Sequence, residues 1–128
     1  MEPADLPATL AEAAGLVPPA AWSASLLPIV REEVAATRDR LPLVAEPWAG
    51  IRTAAWFLRS ELPDDDSGRP GKVELYAKPD DRWEANEVAA RCPGVVEKLQ
   101  LLLEEQRRAL RGEAVDITPL DEELRVGL

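Results

Sequence analysis

A chain of 128 residues is long enough to bury one modest hydrophobic core and too short for two. Its 24 acidic side chains against 15 basic ones leave a net charge of −9. That argues against nucleic acid and anionic membrane as partners, since both are held by Lys and Arg neutralising phosphates.

Asp5 to Gly15 reads as a first helix. Asp5 is placed to cap it, Pro7 fits the first turn, and Leu6, Leu10, Ala13 and Val17 follow helical spacing. Gly15, Leu16 and Pro18 form the expected stop. Ser25 to Arg31 predicts a short apolar helix or turn around Pro28, with a weaker helical pattern continuing to Arg38. Leu41 to Pro47 reads as a loop punctuated by Pro42 and Pro47.

Trp48 to Ser60 carries a strand signal in Ile51, Thr53, Trp56, Phe57 and Leu58. Leu62 to Gly71, LPDDDSGRPG, is a turn-rich loop, and Val73 to Ala77 reads as a second strand that closes a hairpin. Trp83 to Arg91 predicts a short helix. Pro93 opens the longest helix, which is expected to run to about Arg111 and stop at Gly112. Val95, Val96, Leu99, Leu102, Leu103 and Leu110 give it a broad apolar stripe. The acidic tail from Ala114 ends in a helical turn near Leu120 to Val126.

The fold class expected is therefore α+β: a small antiparallel sheet, with a hairpin of about 48–60 and 73–77, under a long C-terminal helix, with N-terminal helices ahead of it. One module spans 1–128, with 1–47 a helical lead-in, 48–112 the hairpin and helices, and 113–128 an acidic tail. The composition is short of large apolar side chains, with one Phe and one Tyr, so Trp22, Trp48, Trp56 and Trp83 are expected to supply much of the core.

The absence of histidine removes the commonest general base, the usual zinc ligand and every His-containing triad. The single cysteine excludes an internal disulfide framework. Asp64, Asp65 and Asp66 are consecutive, where a calcium loop needs alternating ligands and a closing glutamate, so a solvated turn is expected there. Asp80, Asp81, Glu84 and Glu87 form a second acidic cluster, but Asp81 with Glu84 three positions on is the pattern of a helix capping box. Cys92 has no histidine to activate it and is expected to be an inert thiol. No apolar run approaches transmembrane length, and the first residues lack the basic and apolar regions of a signal peptide.

Five stretches, in order, resemble the closing part of the sulfatase family of the alkaline-phosphatase-like superfamily. Asp5 to Val17, DLPATLAEAAGLV, resembles "D-[LI]-x-P-T-L-L-x-L-A-G-[IV]", and Ser25 to Glu32, SLLPIVRE, resembles "SLLPLLRGE". Ile51 to Arg59, IRTAAWFLR, is similar to "VRTxRWKYIR", Glu74 to Ala89 to "ELYDL…DP-x-E-A-N-N-L-A", and Leu120 to Leu128 to a shortened "DPELxxRLxxLGY". Phe57 stands where the family has lysine, Ala77 where it has aspartate, and Arg82 where it has proline.

The resemblance implies a C-terminal subdomain that leans on a catalytic domain and helps close its substrate cleft. In the family the chemistry belongs to that other domain, through a C/S-x-P-x-R motif converted to formylglycine and a divalent-metal site. Cys92 does not fit the motif, because Gly94 and Val96 occupy the places of its proline and arginine. The resemblance thus implies no catalytic residue and no cofactor in this chain. It makes Arg52 and Trp56 the candidate cleft or interdomain contacts, and a separate sulfatase catalytic chain, or a second copy of this one, the candidate partner. The rival expectation is a small acidic interaction module that binds a protein partner or itself.

Overall fold

A computed structural model describes residues 5–17, 23–62 and 71–127. The chain divides into two compact units, Met1–Arg38 and Asp39–Leu128.

In the first unit, helix α1 (Asp5–Ala13) stops as the sequence requires. Gly15 adopts φ +72°, and the Leu16 N–H turns back to the Ala11 carbonyl at 2.7 Å. The buried face differs from the expected one. Asp5 and Ala8 are buried, whereas Leu6, Leu10 and Val17 are exposed, Leu10 by 70%. Helix α2 (Leu27–Val30) carries Pro28 in its first turn. The helical pattern expected onward to Arg38 does not form: Glu32 takes φ +60° and turns and bends follow it.

Long-range pairing outweighs local propensity in this segment. Both Nη atoms of Arg38 grip the Asp5 carboxylate, at 2.6 and 3.0 Å, and the Ala24 N–H donates to the same carboxylate at 3.0 Å. The Leu26 N–H donates to the Thr9 hydroxyl at 2.9 Å, which fixes α2 against α1.

The second unit holds a four-stranded antiparallel sheet in sequence order: β1 (Arg40–Ala45), β2 (Trp48–Thr53), β3 (Trp56–Glu61) and β4 (Val73–Ala77). Two expectations are corrected here. The stretch read as a loop is edge strand β1, and an edge is where a strand tolerates Pro42 and its missing N–H. The single strand expected over 48–60 is two strands, folded back at Ala54 and Ala55. The Thr53 hydroxyl accepts the Trp56 N–H at 3.0 Å and closes that turn. Asp64, Asp65 and Asp66 lie outside the described residues, as does Trp22.

Alternation along the strands sends Ala49, Ile51, Leu58 and Leu75 to one face, where they pack on α3 (Pro93–Leu110). Val95, Leu99, Leu102 and Leu103 are the buried positions of α3, spaced for one helical face. Leu110, expected in the same stripe, is exposed. Gly112 at φ +84° ends the helix where the sequence indicated. The tail returns as α4 (Glu122–Val126), whose Leu124 joins Leu120 in the core.

The helix expected over Trp83 to Arg91 is absent but for one 3₁₀ turn, Ala89–Arg91. The Asp81 carboxylate accepts the N–H groups of Ala85 and Asn86, at 2.8 and 2.9 Å, and Glu84 sits at φ +56°. The capping residue thus holds a loop rather than a helix. Trp83, expected in the core, is 83% exposed on that loop. The loop also covers the outer edge of β4: the Leu75 N–H donates to Glu87, and the Leu75 carbonyl accepts the Val88 N–H.

Candidate functional site

The sheet face turned away from α3 is ordered by strand register. Leu41, Arg52, Phe57 and Tyr76 form one cross-strand row, and Leu43, Gly50, Arg59 and Glu74 form the next. Gly50 has a steric role here. A Cβ at this position would lie 2.9 Å from the Leu58 carbonyl oxygen and 3.1 Å from the Phe57 ring, so the missing side chain lets that ring lie down on the sheet. Phe57 in turn stacks with Tyr76, centroids 6.4 Å apart.

Beside this row opens a pocket of about 430 Å³. Leu41, Leu43, Phe57 and Pro79 make its apolar wall, and Arg52, Lys78, Arg82 and Glu84 supply its charges. Three cations against one carboxylate is a local reversal of the chain's acidic balance. Lys78 is held in place by the Asp81 carbonyl at 2.7 Å and the Glu84 carboxylate at 3.1 Å. Arg82 lies with its guanidinium 5.3 Å from the Trp83 ring centroid.

Arg52 is the unusual member. Its Nη1 is buried and, among the described residues, has no hydrogen-bond partner. Burial lowers the Arg52 pKa, while the Glu84 charge pulls it the other way. The group remains a guanidinium near neutrality, because arginine starts so high. A buried donor of this kind is costly unless something accepts from it.

Next to the pocket the charges are already matched. The Arg59 Nε donates to Glu74 at 2.7 Å, Lys72 reaches its other oxygen at 2.6 Å, and the Arg59 guanidinium lies 4.7 Å above the Trp48 ring. The hydrogen bond from Lys72, then that from Arg59, holds the Glu74 carboxyl below its ordinary 4.5, against the opposing pull of burial. A depressed folded-state pKa adds stability that is complete above the unfolded value and lost as the pH falls through the folded one. Urea midpoints are therefore expected to fall as the pH drops below about 4.5, and Glu74→Gln should flatten that acid limb. An unchanged limb in the variant would show that the two cations do not act on this carboxylate.

The two residues expected at a cleft part company. Arg52 lines the pocket, whereas Trp56 is 3% exposed in the core with its Nε1–H on the Glu123 carbonyl at 3.0 Å. Register explains why: the partner of Arg52 on β3 is Phe57. Glu87 serves the edge of β4 and Asp81 its loop, while Cys92 is a partly buried free thiol packed against the core. Among the described residues no group of three or more Cys, Asp or Glu is placed to hold a metal ion. The pocket's one carboxylate, Glu84, is paired with Lys78 at 3.1 Å.

The described architecture is an α+β unit in which a long helix covers one face of a meandering sheet. No family model and no curated protein matches the sequence. Among solved structures the fold resembles that of a 6S-sulfatase from work on the metabolism of multiple glycosaminoglycans by Bacteroides thetaiotaomicron. The TM-score is 0.57 at 21% identity, over 85% of this chain and 24% of that one. The chain therefore spans about a quarter of that sulfatase's length and shares the fold of that part.

Proposed function

We propose that this chain is a sulfatase-like C-terminal module, without hydrolytic activity alone, that leans on a catalytic body in the same or a separate polypeptide. The observation that carries this reading is the lopsided likeness: 85% of this chain is matched, but only 24% of the sulfatase. Two features support it. The Met1–Arg38 unit leaves Leu6, Leu10, Leu16 and Val17 exposed, as side chains with an absent neighbour would be. The sequence also carries no C/S-x-P-x-R, so the divalent metal and formylglycine of sulfuric ester hydrolysis would belong to the catalytic body.

The purified chain, incubated with 4-nitrophenyl sulfate and calcium or magnesium, is expected to release no nitrophenol. Turnover that scales with chain concentration would overturn the reading. An adjacent reading frame that carries C-x-P-x-R would supply the catalytic partner. The same exposed leucines and valine also favour a second reading, an acidic interaction module that binds a protein partner or itself. A concentration-dependent dimer, with no such frame beside the gene, would make that the better account.

A further inference from the structure

The geometry points to the pocket between β1, β2, β3 and the loop after β4 as a binding site for a small organic oxyanion, its charged head on Arg52 and its apolar body on Phe57 and Leu43. This inference does not rest on the sulfatase-like reading, because it needs only the pocket of the isolated chain.

Three observations lead to it. The first is the unpartnered Arg52 Nη1, a buried donor on a cationic group with no acceptor among the described residues. A guanidinium fork is matched by a carboxylate or another planar or tetrahedral oxyanion, which accepts two hydrogen bonds at once. The second is charge. Lys78 and Arg82 bring two further cations to the same wall, and Lys78 is fixed there by the Asp81 carbonyl and Glu84. Glu84 offsets one positive charge and leaves an excess for a ligand. In a chain of net charge −9, this excess arises from tertiary placement and not from composition.

The third observation is size and shape. A volume of about 430 Å³ suits a small molecule rather than a helix or a strand. Half the lining is apolar, with the Phe57 ring laid flat over Gly50 as a floor. A bare inorganic ion would leave that half unused, whereas an aromatic or alicyclic acid uses both halves. Leu41 and Phe57, the cross-strand partners of Arg52, line the same pocket and set apolar surface beside its guanidinium.

The test uses the full chain, with benzoate as the probe and acetate, inorganic phosphate and chloride as comparison arms at constant ionic strength. Backbone ¹H–¹⁵N signals of Arg52, Lys78 and Arg82, with the guanidinium signals of the two arginines, are followed during each titration. Saturable shifts are expected with benzoate, with a Kd on the order of 1 mM, and about tenfold weaker binding of acetate. Arg52→Gln should weaken benzoate about tenfold, the loss of one charge-assisted contact. Arg82→Gln should weaken it severalfold, and because Arg82 is exposed this variant keeps its fold. Linear shifts indistinguishable from those with chloride would overturn the proposal. So would equal affinity for benzoate and acetate, or unchanged affinity in folded Arg82→Gln.

Discussion

Trp56→Ala is expected to lower the unfolding free energy by about 4 kcal/mol, since truncation of a buried Trp removes its transfer free energy and leaves a cavity. The ring is 3% exposed and packs in the cluster that includes Ile51, Leu58, Leu99 and Leu124. Its Nε1–H donates to the Glu123 carbonyl at 3.0 Å, a tie from β3 to α4. Trp56→Phe keeps most of the apolar volume and loses the hydrogen bond, so a smaller loss of about 1–2 kcal/mol is expected. Urea unfolding at pH 7 measures both. Had Trp56 been a ligand contact rather than core, Trp56→Ala would leave the midpoint within about 0.5 kcal/mol of the parent. That result would contradict the packing described above.

The contrast between Arg52 and Trp56 shows what the sequence conceals. Read as one strand over 48–60, positions 52 and 56 share a face, because side chains alternate with period two. The chain instead turns at Ala54 and Ala55, and the register sets Arg52 against Phe57. Trp56 is thereby sent to the helix side of the sheet. A turn of two alanines carries none of the Gly, Asn or Pro chemistry that marks a hairpin, so nothing local announced it. Arg52, which lines the pocket, was singled out through the sulfatase-like stretch Ile51 to Arg59. Lys78 and Arg82 were not, because they reach the pocket only through the loop after β4, in a stretch whose most visible feature is its carboxylates.

Elsewhere legibility follows the strength of local signals. Helix α3 was readable because proline, glycine and a repeated apolar spacing agree on its start, end and face. Strand β1 was hidden by Pro42 and Pro47, which mark a loop unless the strand lies at an edge. The segment after Trp83 was hidden by an ambiguity of chemistry. Asp81 followed three residues on by Glu84 reads as a capping box, yet its carboxylate accepts the N–H groups four and five residues on, where a helix N-cap takes those two or three on. Helix α1 presents the opposite case: its limits were legible, its buried face was not. Apolar periodicity finds a stripe but does not say what covers it, and here Asp5 is the buried side chain.

Asp5→Ala should accordingly be the most damaging change in the Met1–Arg38 unit, at about 3 kcal/mol, because loss of one partner of a buried ion pair leaves the other uncompensated. Asp5 is fully buried and accepts both Nη atoms of Arg38 as well as the Ala24 N–H. The Arg38 side chain is 21% exposed, so water offsets part of the loss and holds the figure at the lower end of the usual range. Arg38→Ala removes the cation but leaves Asp5 buried with the Ala24 donor, and the cost should be similar. In the double variant neither charge is stranded, so its loss should fall well short of the sum of the two single losses. Hydrogen exchange at the amides of Thr9 to Ala14 reads the effect where it arises, since these lie on α1 and its terminal turn. Additive losses would show that the two side chains act separately, and the bent path of residues 31–38 would then need another cause.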